Sequence, residues 1–360
     1  MPAPRYGAII TKRVKEAKIA ERGDRVRPHR LGPAIFAAFV AATLVPAFGA
    51  AAENPAGERG EAAYAERMAL YRSVAALTDV PWTRLAAVDQ FARSLQKKRS
   101  DGPIAFRFPP PLWAGPTNPD PEDTDPRTIA LFGGLGRDGD GDGFADQRSP
   151  LDVLLVLAER LRDAGNDWPQ AVAELYPSDK DRMILKAFEA LYAAFGRLDL
   201  FDTAFVVDRR RPYSYTNTWG QPRGFGGRRF HEGADIFAPY GTPVRSATYG
   251  VVEVAGWNVY GGWRVGIRDL NNIYYYYAHL SGFAPGVRPG KIVRPGEVIG
   301  YVGSSGYGPP GTQGKFPPHL HFGMYKYDGR REWAFDPTPH LRRFERLERE
   351  KARPRERTGP

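Results

Sequence analysis

Two short segments decide the fold of the carboxy-terminal part of the chain: residues 230–238, Phe-His-Glu-Gly-Ala-Asp-Ile-Phe-Ala, and residues 318–322, Pro-His-Leu-His-Phe. Each segment mixes apolar residues with histidine, and the first also holds carboxylates. Successive side chains of a strand alternate between its faces, so we expect His319 and His321 on the same face. An imidazole pair together with a carboxylate is a ligand set that catalytic zinc uses, with one position left for water.

The sequence around these segments, residues 201–340, is rich in Gly, Tyr, Trp and Val and has frequent turn residues. This composition is typical of short antiparallel strands joined by glycine-rich loops. The strands are predicted at residues 250–255, 263–267, 273–279, 298–302 and 319–325.

Residues 59–195 have a different pattern, in which apolar side chains recur at helical spacing, as in Tyr64, Met68 and Tyr71. Helices are predicted at residues 59–78, from Trp82 to Leu95, and at 151–163, 169–176 and 180–195, with a proline-rich loop over 103–126. We therefore expect an α+β multidomain chain. A helical module over 53–200 is followed by an antiparallel β-sheet domain over 201–340.

The 360 residues carry a formal charge of +10, which by itself suggests a nucleic-acid binder. However, the excess lies at the two ends: residues 1–30 hold nine basic and three acidic residues, and residues 341–360 hold eight and four. Residues 53–200 hold 18 and 24, and residues 201–340 hold 16 and 10. We therefore expect no nucleic-acid partner, and we expect residues 341–360 to form a charged, solvated helical tail.

The chain contains no cysteine, which excludes disulfides, thiolate nucleophiles and metal sites built on cysteine. An uncharged apolar run, residues 31–52, follows the basic residues 5–30 and ends in small residues. This order is typical of export, because the basic flank stays cytoplasmic and the small residues suit a signal peptidase. The run of about 20 residues is also long enough for an uncleaved membrane anchor. Both alternatives place the rest of the chain outside the cytoplasm.

An acidic loop with a central glycine, Gly143, carries alternating carboxylates at Asp138, Asp140, Asp142 and Asp146. This spacing matches the start of an EF-hand loop, in which oxygen atoms surround a calcium ion. The twelfth position is Ser149 instead of the usual Glu, and Asp152 is a nearby substitute. The sequence therefore indicates a calcium site, with an acidic surface loop free of metal as the alternative.

The β domain resembles the lysostaphin-type, or LytM-like, zinc metallopeptidases over residues 225–340. The resemblance rests on His231-x₃-Asp235, on Tyr277-Ala278-His279-Leu280 and on Pro318-His319-Leu320-His321-Phe322. The glycine-rich residues 233–244 and 296–306 also follow the family's pattern. The resemblance implies zinc held by His231, Asp235 and His321, with His279 and His319 as a catalytic pair that does not bind the metal.

Enzymes of this family cut peptide bonds in bacterial cell-wall peptidoglycan, so the resemblance implies peptidoglycan as the substrate. The layout is most similar to the sporulation branch of the family, which cleaves the L-Ala–D-Glu bond of the stem peptide. Other members cut cross-bridges, and some have lost metal ligands and act as binding or activating modules. Candidates for binding the free carboxylates of stem peptides are Arg228, Arg229, Arg264 and Arg268.

The helical module resembles soluble lytic transglycosylases more weakly, in residues 81–88 and in residues 149–153 after the acidic loop. In that family a Glu near the end of the first of these helices is the general acid. The matching position here is Ala92, which has no proton to give. The resemblance therefore implies a degenerate module that has lost glycan cleavage.

Overall fold

The structure is a computed structural model and describes residues 55–97, 102–162 and 164–352. Helices come first in this part of the chain. They are α1 (Pro55–Thr78), α2 (Trp82–Leu95), α3 (Pro110–Trp113), α4 (Pro126–Leu131), α5 (Pro150–Arg162), a 3-10 helix (Gly165–Val172) and α6 (Asp179–Phe195). Every predicted helix is present, although the one predicted over 169–176 is a 3-10 helix that begins earlier. Apolar periodicity therefore locates the helical part of the chain.

Helix α3 corrects the prediction of a loop over 103–126, and helix α4, which was not predicted, begins at the last residue of that stretch. Each begins at a proline, whose missing N–H would be unpaired in the first turn of a helix in any case. The side chain of Asp125 caps α4 by accepting a hydrogen bond from the N–H of Arg127 over 2.9 Å. Proline content indicated a loop because it does not distinguish a turn from the start of a short helix.

Strands make up most of the remaining described residues. They are β1 (Ser214–Tyr215), β2 (Pro222–Arg223), β3 (Arg229–Phe230), β4 (Ala234–Phe237), β5 (Pro243–Arg245), β6 (Gly250–Asn258), β7 (Gly262–Arg268), β8 (Ile273–Phe283), β9 (Ile292–Val293), β10 (Val298–Val302), β11 (His319–Tyr327) and β12 (Glu332–Phe335), followed by helix α7 (Thr338–Ala352). The main sheet has the order β1-β4-β11-β8-β7-β6-β9, and β2 and β3 form a separate hairpin. The strand pairs are antiparallel, which confirms the predicted antiparallel β domain.

One face of this sheet is a core face and the other is open. On β8, Tyr275 and Tyr277 are buried in the core, whereas Tyr274 and Tyr276 line a cleft on the opposite face. This is the alternation expected of a strand. Strand β11 alternates in the same way and presents its two histidines to the cleft.

Helix α7 corrects the expectation of a solvated carboxy-terminal tail. Leu341 and Phe344 are three residues apart, so they share one side of the helix, and both are buried in the core of the β domain. Glu345 accepts hydrogen bonds from the hydroxyl groups of Tyr213 and Tyr215. The many Arg and Glu residues of this segment predicted a solvated surface. The docking gave little signal in the sequence, because the apolar positions are few and the tyrosine partners are distant.

The helices and the sheet share a hydrophobic core. Leu270 and Tyr327 of the β domain are buried in the same cluster as the helices. The hydroxyl of Tyr327 donates to Oδ1 of Asp181 on α6 over 2.9 Å, and Gln90 of α2 donates to the carbonyl oxygen of Leu270 over 2.8 Å. The helical part therefore packs directly against the end of β11 and the loop between β7 and β8.

The predicted leader, residues 1–52, lies outside the residues that the structure describes. None of the helices within residues 55–97, 102–162 and 164–352 has the length and hydropathy that a bilayer-spanning segment needs.

Candidate active site

Three side chains of the β domain converge where β4 and β11 pair. Asp235 lies opposite His321 in this antiparallel pair, and His231 comes just before β4. Nε2 of His231 lies 3.1 Å from Oδ1 of Asp235, and Nδ1 of His321 lies 3.2 Å from the same oxygen. The two histidine nitrogens are 2.9 Å apart. The structure thus brings the three residues that the motifs singled out into one group.

This group fits a zinc ion. With zinc–ligand bonds of about 2.0–2.1 Å, the ligand atoms of a tetrahedral site are roughly 3.3 Å apart. The observed separations, 2.9 to 3.2 Å, are close to that value. Nδ1 of His231 donates to the carbonyl oxygen of Thr218 over 2.7 Å, which leaves Nε2 to supply the lone pair when the neutral ring binds a metal.

Arg223, on the β2–β3 hairpin, holds the other oxygen of Asp235. Its guanidinium donates to Oδ2, while Oδ1 faces the histidines. Burial alone would raise the pKa of Asp235, but hydrogen bonds with His231 and His321 hold this pKa well below its usual range. The carboxylate is therefore ionised and shared between two sets of partners. No spacing in the sequence connects Arg223 with these residues, and sequence reasoning missed it.

His279 and His319 form a second pair beside the trio, with ring centroids 4.8 Å apart. Nδ1 of His279 donates to the carbonyl oxygen of Ser305, and Nδ1 of His319 donates to that of Pro317, each over 2.8 Å. Because a carbonyl oxygen can only accept, each Nδ1 carries the proton and each Nε2 presents a lone pair. Burial lowers the pKa of both histidines, which favours their neutral forms.

The backbone of His279 adopts the left-handed conformation, with φ of +63°, which is uncommon for a residue with a side chain. The pairing of β7 with β8 shifts at this point, since Trp263 lies opposite Leu280 and Val265 lies opposite Tyr277. Such irregularities re-aim a side chain, and strained residues cluster at functional sites. Here the shift brings the imidazole of His279 to the cleft.

All five residues line one cleft of about 590 Å³. Of the arginines predicted to meet substrate carboxylates, Arg229 and Arg264 line this cleft. Arg268 does not serve that purpose, because its guanidinium is buried and forms ion pairs with Glu253 and Glu332. Its position in sequence was compatible with the cleft, but its side chain belongs to the core of the protein.

The carboxylates that lie together in the acidic loop are not the four that the EF-hand spacing predicted. Asp138 and Asp140 place carboxylate oxygens within 4.8 Å of Asp152, a group to which Asp142 and Asp146 do not belong. Asp152 is buried and accepts hydrogen bonds from two backbone N–H groups of the loop. Asp152, which the sequence offered as a substitute for the twelfth ligand, is therefore the residue that lies beside Asp138 and Asp140.

A His-Asp-His group beside two neutral histidines, in an open cleft on an antiparallel sheet, is a site of the metallopeptidase class. Residues 229–337 match the pattern of peptidase family M23. The chain is 52% identical over 294 residues to an L-Ala–D-Glu endopeptidase of Bacillus subtilis, covering 79% of this chain and 90% of that protein. The chain therefore belongs to peptidase family M23, which confirms the resemblance predicted from the motifs.

Two further comparisons concern lysostaphin of Staphylococcus simulans. The chain is 35% identical to it over 114 residues, which are 31% of this chain and 21% of that protein. The solved structure of the lysostaphin catalytic domain is 33% identical and covers 37% of this chain and 93% of that one, with a TM-score of 0.30.

Proposed function

We propose that this protein is a zinc-dependent endopeptidase that hydrolyses peptide bonds of bacterial peptidoglycan. The observation that carries the proposal is the convergence of His231, Asp235 and His321 beside His279 and His319 in one cleft. Membership of family M23 and the 52% identity to an endopeptidase support the same type of reaction.

The chemistry follows from the arrangement of these side chains. When bound by the trio, zinc supplies a Lewis acid that polarises the scissile carbonyl and lowers the pKa of the attacking water. The Nε2 atoms of His279 and His319 are proton acceptors at the same cleft. Between them, the two histidines orient the water, take its proton, and return a proton to the oxyanion or to the leaving amine.

Within peptidoglycan, we propose the L-Ala–D-Glu bond of the stem peptide as the bond that is cut. The support is the extent of the shared sequence: the Bacillus subtilis L-Ala–D-Glu endopeptidase is matched over 90% of its length, whereas lysostaphin is matched over 21%. The arginines of the cleft also suit a peptide with free carboxylates.

The alternative is a catalytically inactive module that binds peptidoglycan or activates another hydrolase. Loss of a metal ligand or of a catalytic histidine would favour it, and this chain retains all five residues. The test is to measure bound zinc and the release of new amino groups from peptidoglycan. We expect about one zinc ion per chain and release of amines.

His321→Ala should abolish both zinc binding and amine release. His340→Ala changes a histidine of α7 that does not line the cleft, and it should retain both. Binding of peptidoglycan by the zinc-loaded protein without release of amines would favour the inactive module.

For residues 53–200 we propose a module that supports the peptidase and positions glycan without cutting it. Ala92, which the resemblance matches to the general acid of transglycosylases, has no ionisable group. Asp89, the single carboxylate of α2, is fully buried and accepts hydrogen bonds from the hydroxyl of Tyr71 over 2.7 Å and from the N–H of Phe106 over 2.8 Å. A carboxylate held in this way is not placed to protonate a sugar.

Calcium in the acidic loop is part of the same proposal, with Asp138, Asp140 and Asp152 as its first ligands. An increase in melting temperature on addition of Ca²⁺, reversed by a chelator, would support it.

We also propose that residues 1–52 direct export as a cleaved signal or an anchor. The peptidase then acts outside the cytoplasm, where peptidoglycan lies, and a role in sporulation fits the similarity of layout.

A further inference from the structure

We infer that Arg264 receives a free carboxylate of the residue next to the scissile bond and thereby determines substrate specificity. The inference rests on the proposed function and adds a chemical feature of the substrate to it. Arg264 lies on β7 opposite Gly256 of β6, and its side chain lines the cleft that holds the His-Asp-His trio.

Arg264 lacks the partners that the other cleft arginines have. Arg223 is paired with Asp235, and Nε of Arg229 donates to the carbonyl oxygen of Phe225 over 2.9 Å. Across the residues that the structure describes, the side chain of Arg264 has no hydrogen bond or ion pair. Its Nε atom is buried, but its two terminal nitrogens are not, so their N–H donors can meet an oxygen of a ligand that enters the cleft.

The nearby carboxylates do not supply that acceptor, because each is engaged elsewhere. One oxygen of Glu332 lies 2.9 Å from the guanidinium of Arg268, and the other lies 2.9 Å from Nζ of Lys180. Glu232 is hydrogen-bonded to Tyr325. The positive charge of Arg264 therefore remains available to an anionic group that enters the cleft.

Tyr276 connects Arg264 with the metal-binding trio. Its ring packs edge-on against His321, with centroids 5.8 Å apart. Tyr276 and Arg264 both line the cleft, on the neighbouring strands β8 and β7. A peptide bound with its scissile carbonyl at the trio would extend over Tyr276 and bring a neighbouring carboxylate to Arg264.

The chemistry of arginine selects a carboxylate at this position. A guanidinium offers parallel N–H donors that match the two oxygens of a carboxylate, a geometry that lysine does not reproduce. The D-Glu residue of a stem peptide carries a free α-carboxylate directly after the L-Ala–D-Glu bond, whereas a Gly–Gly cross-bridge has none. Arg264 therefore favours stem peptides over cross-bridges.

The test is a calorimetric binding experiment with the full chain loaded with zinc and carrying His319→Ala, which prevents turnover. Two synthetic stem peptides are compared that differ only at D-Glu, one with its α-carboxylate and one with the α-carboxamide. We expect the carboxylate peptide to bind about 10- to 100-fold more tightly. Adding Arg264→Gln should reduce this ratio to about one without weakening the carboxamide peptide, and Arg264→Lys should give an intermediate ratio.

Arg330→Gln is the matched control, because it removes the same charge at an exposed arginine between β11 and β12. It should leave the ratio unchanged. The inference is overturned if the parent protein shows no preference, if Arg264→Gln retains it, or if Arg330→Gln removes it equally. Cleavage is measured separately with the native His319. A preference that depends on Arg264, without cleavage of any peptide bond, would refute the endopeptidase and leave the carboxylate site intact.

Discussion

Nδ1 of His279 on β8 donates a hydrogen bond to the carbonyl oxygen of Ser305 over 2.8 Å, so a residue of the loop between β10 and β11 fixes the orientation of this imidazole. Ser305 is itself anchored on two sides. Its hydroxyl donates to the carbonyl oxygen of Leu280 over 2.6 Å and accepts from the N–H of Trp263 over 3.0 Å. One serine side chain therefore connects the start of β7 and the strand β8 to the position of His279.

Ser305→Ala should lower kcat about ten- to a hundredfold, because a small displacement of an acid–base group is expensive in rate. Zinc content and KM should be unchanged, since Ser305 does not contact the ligand trio. Ser281→Ala is the matched control, because Ser281 lies on β8 near His279 and its hydroxyl donates to the carbonyl oxygen of Tyr301. Steady-state kinetics with metal analysis measure the effect, and an unchanged kcat in Ser305→Ala would show that this serine does not position His279.

Replacing a ligand and replacing a catalytic histidine should have separable effects. Asp235→Ala should lose zinc and activity together, since it removes one of three ligands. His319→Ala should retain zinc and lose about 10²- to 10⁴-fold in kcat, the usual contribution of a general acid–base group. Metal content and amine release are measured on the same samples. Loss of zinc from His319→Ala would show that the division between ligands and catalytic residues is wrong.

Arg223→Ala should weaken zinc binding about 10- to 100-fold, because partners that orient a ligand contribute that much to metal affinity. Competition with a chromophoric chelator gives the affinity without reference to activity. Arg228→Ala, an exposed arginine on the turn between the strands of the same hairpin, is the control for the loss of one positive charge. Equal zinc affinity in the two variants would exclude a role for the contact with Asp235.

Helix α7 predicts a pH effect on stability through Glu345. Burial would raise the pKa of Glu345, but hydrogen bonds from Tyr213, Tyr215 and Arg349 outweigh it and lower this pKa. A carboxyl group with a lowered folded pKa stabilises the fold above its unfolded value of about 4.3, and the stabilisation is lost as pH falls through the folded value. Glu345→Gln should therefore lower Tm at neutral pH and reduce the further loss of Tm in acid.

Thermal unfolding between about pH 7 and about pH 3.5 measures this effect, a window that spans the unfolded pKa. Glu350→Gln, a more exposed glutamate of the same helix, is the control and should follow the parent protein. An identical pH profile for Glu345→Gln and the parent protein would show that the contact with the tyrosines does not stabilise the docked helix.

The motifs predicted that the trio and the histidine pair lie together, because the residues of each motif are close in sequence. The roles proposed for them come from the resemblance to the family. His319 and His321 are two residues apart on a strand, and the motif that contains His231 also contains Asp235. Arg223 contacts Asp235 from the separate β2–β3 hairpin, and no motif in the sequence links it to the ligands. Ser305 acts on His279 through a backbone carbonyl, for which no side-chain pattern exists.

The fold shows the same division between local and distant signals. Composition and turn residues located the five predicted strands, and periodicity of apolar residues located the long helices. It missed the docking of α7, because Leu341 and Phe344 are two apolar residues in a strongly charged segment and their contacts lie in the distant β domain. It also missed α3 and α4, because proline is common both at the first turn of a helix and in loops.

Mass spectrometry of the fragments that the zinc-loaded protein releases from peptidoglycan identifies the bond that is cut. We expect stem-peptide fragments that have gained one water and begin with the free amino group of D-Glu, and we expect none with His321→Ala. Release of reducing or anhydro sugar ends without any new amino group would refute the endopeptidase.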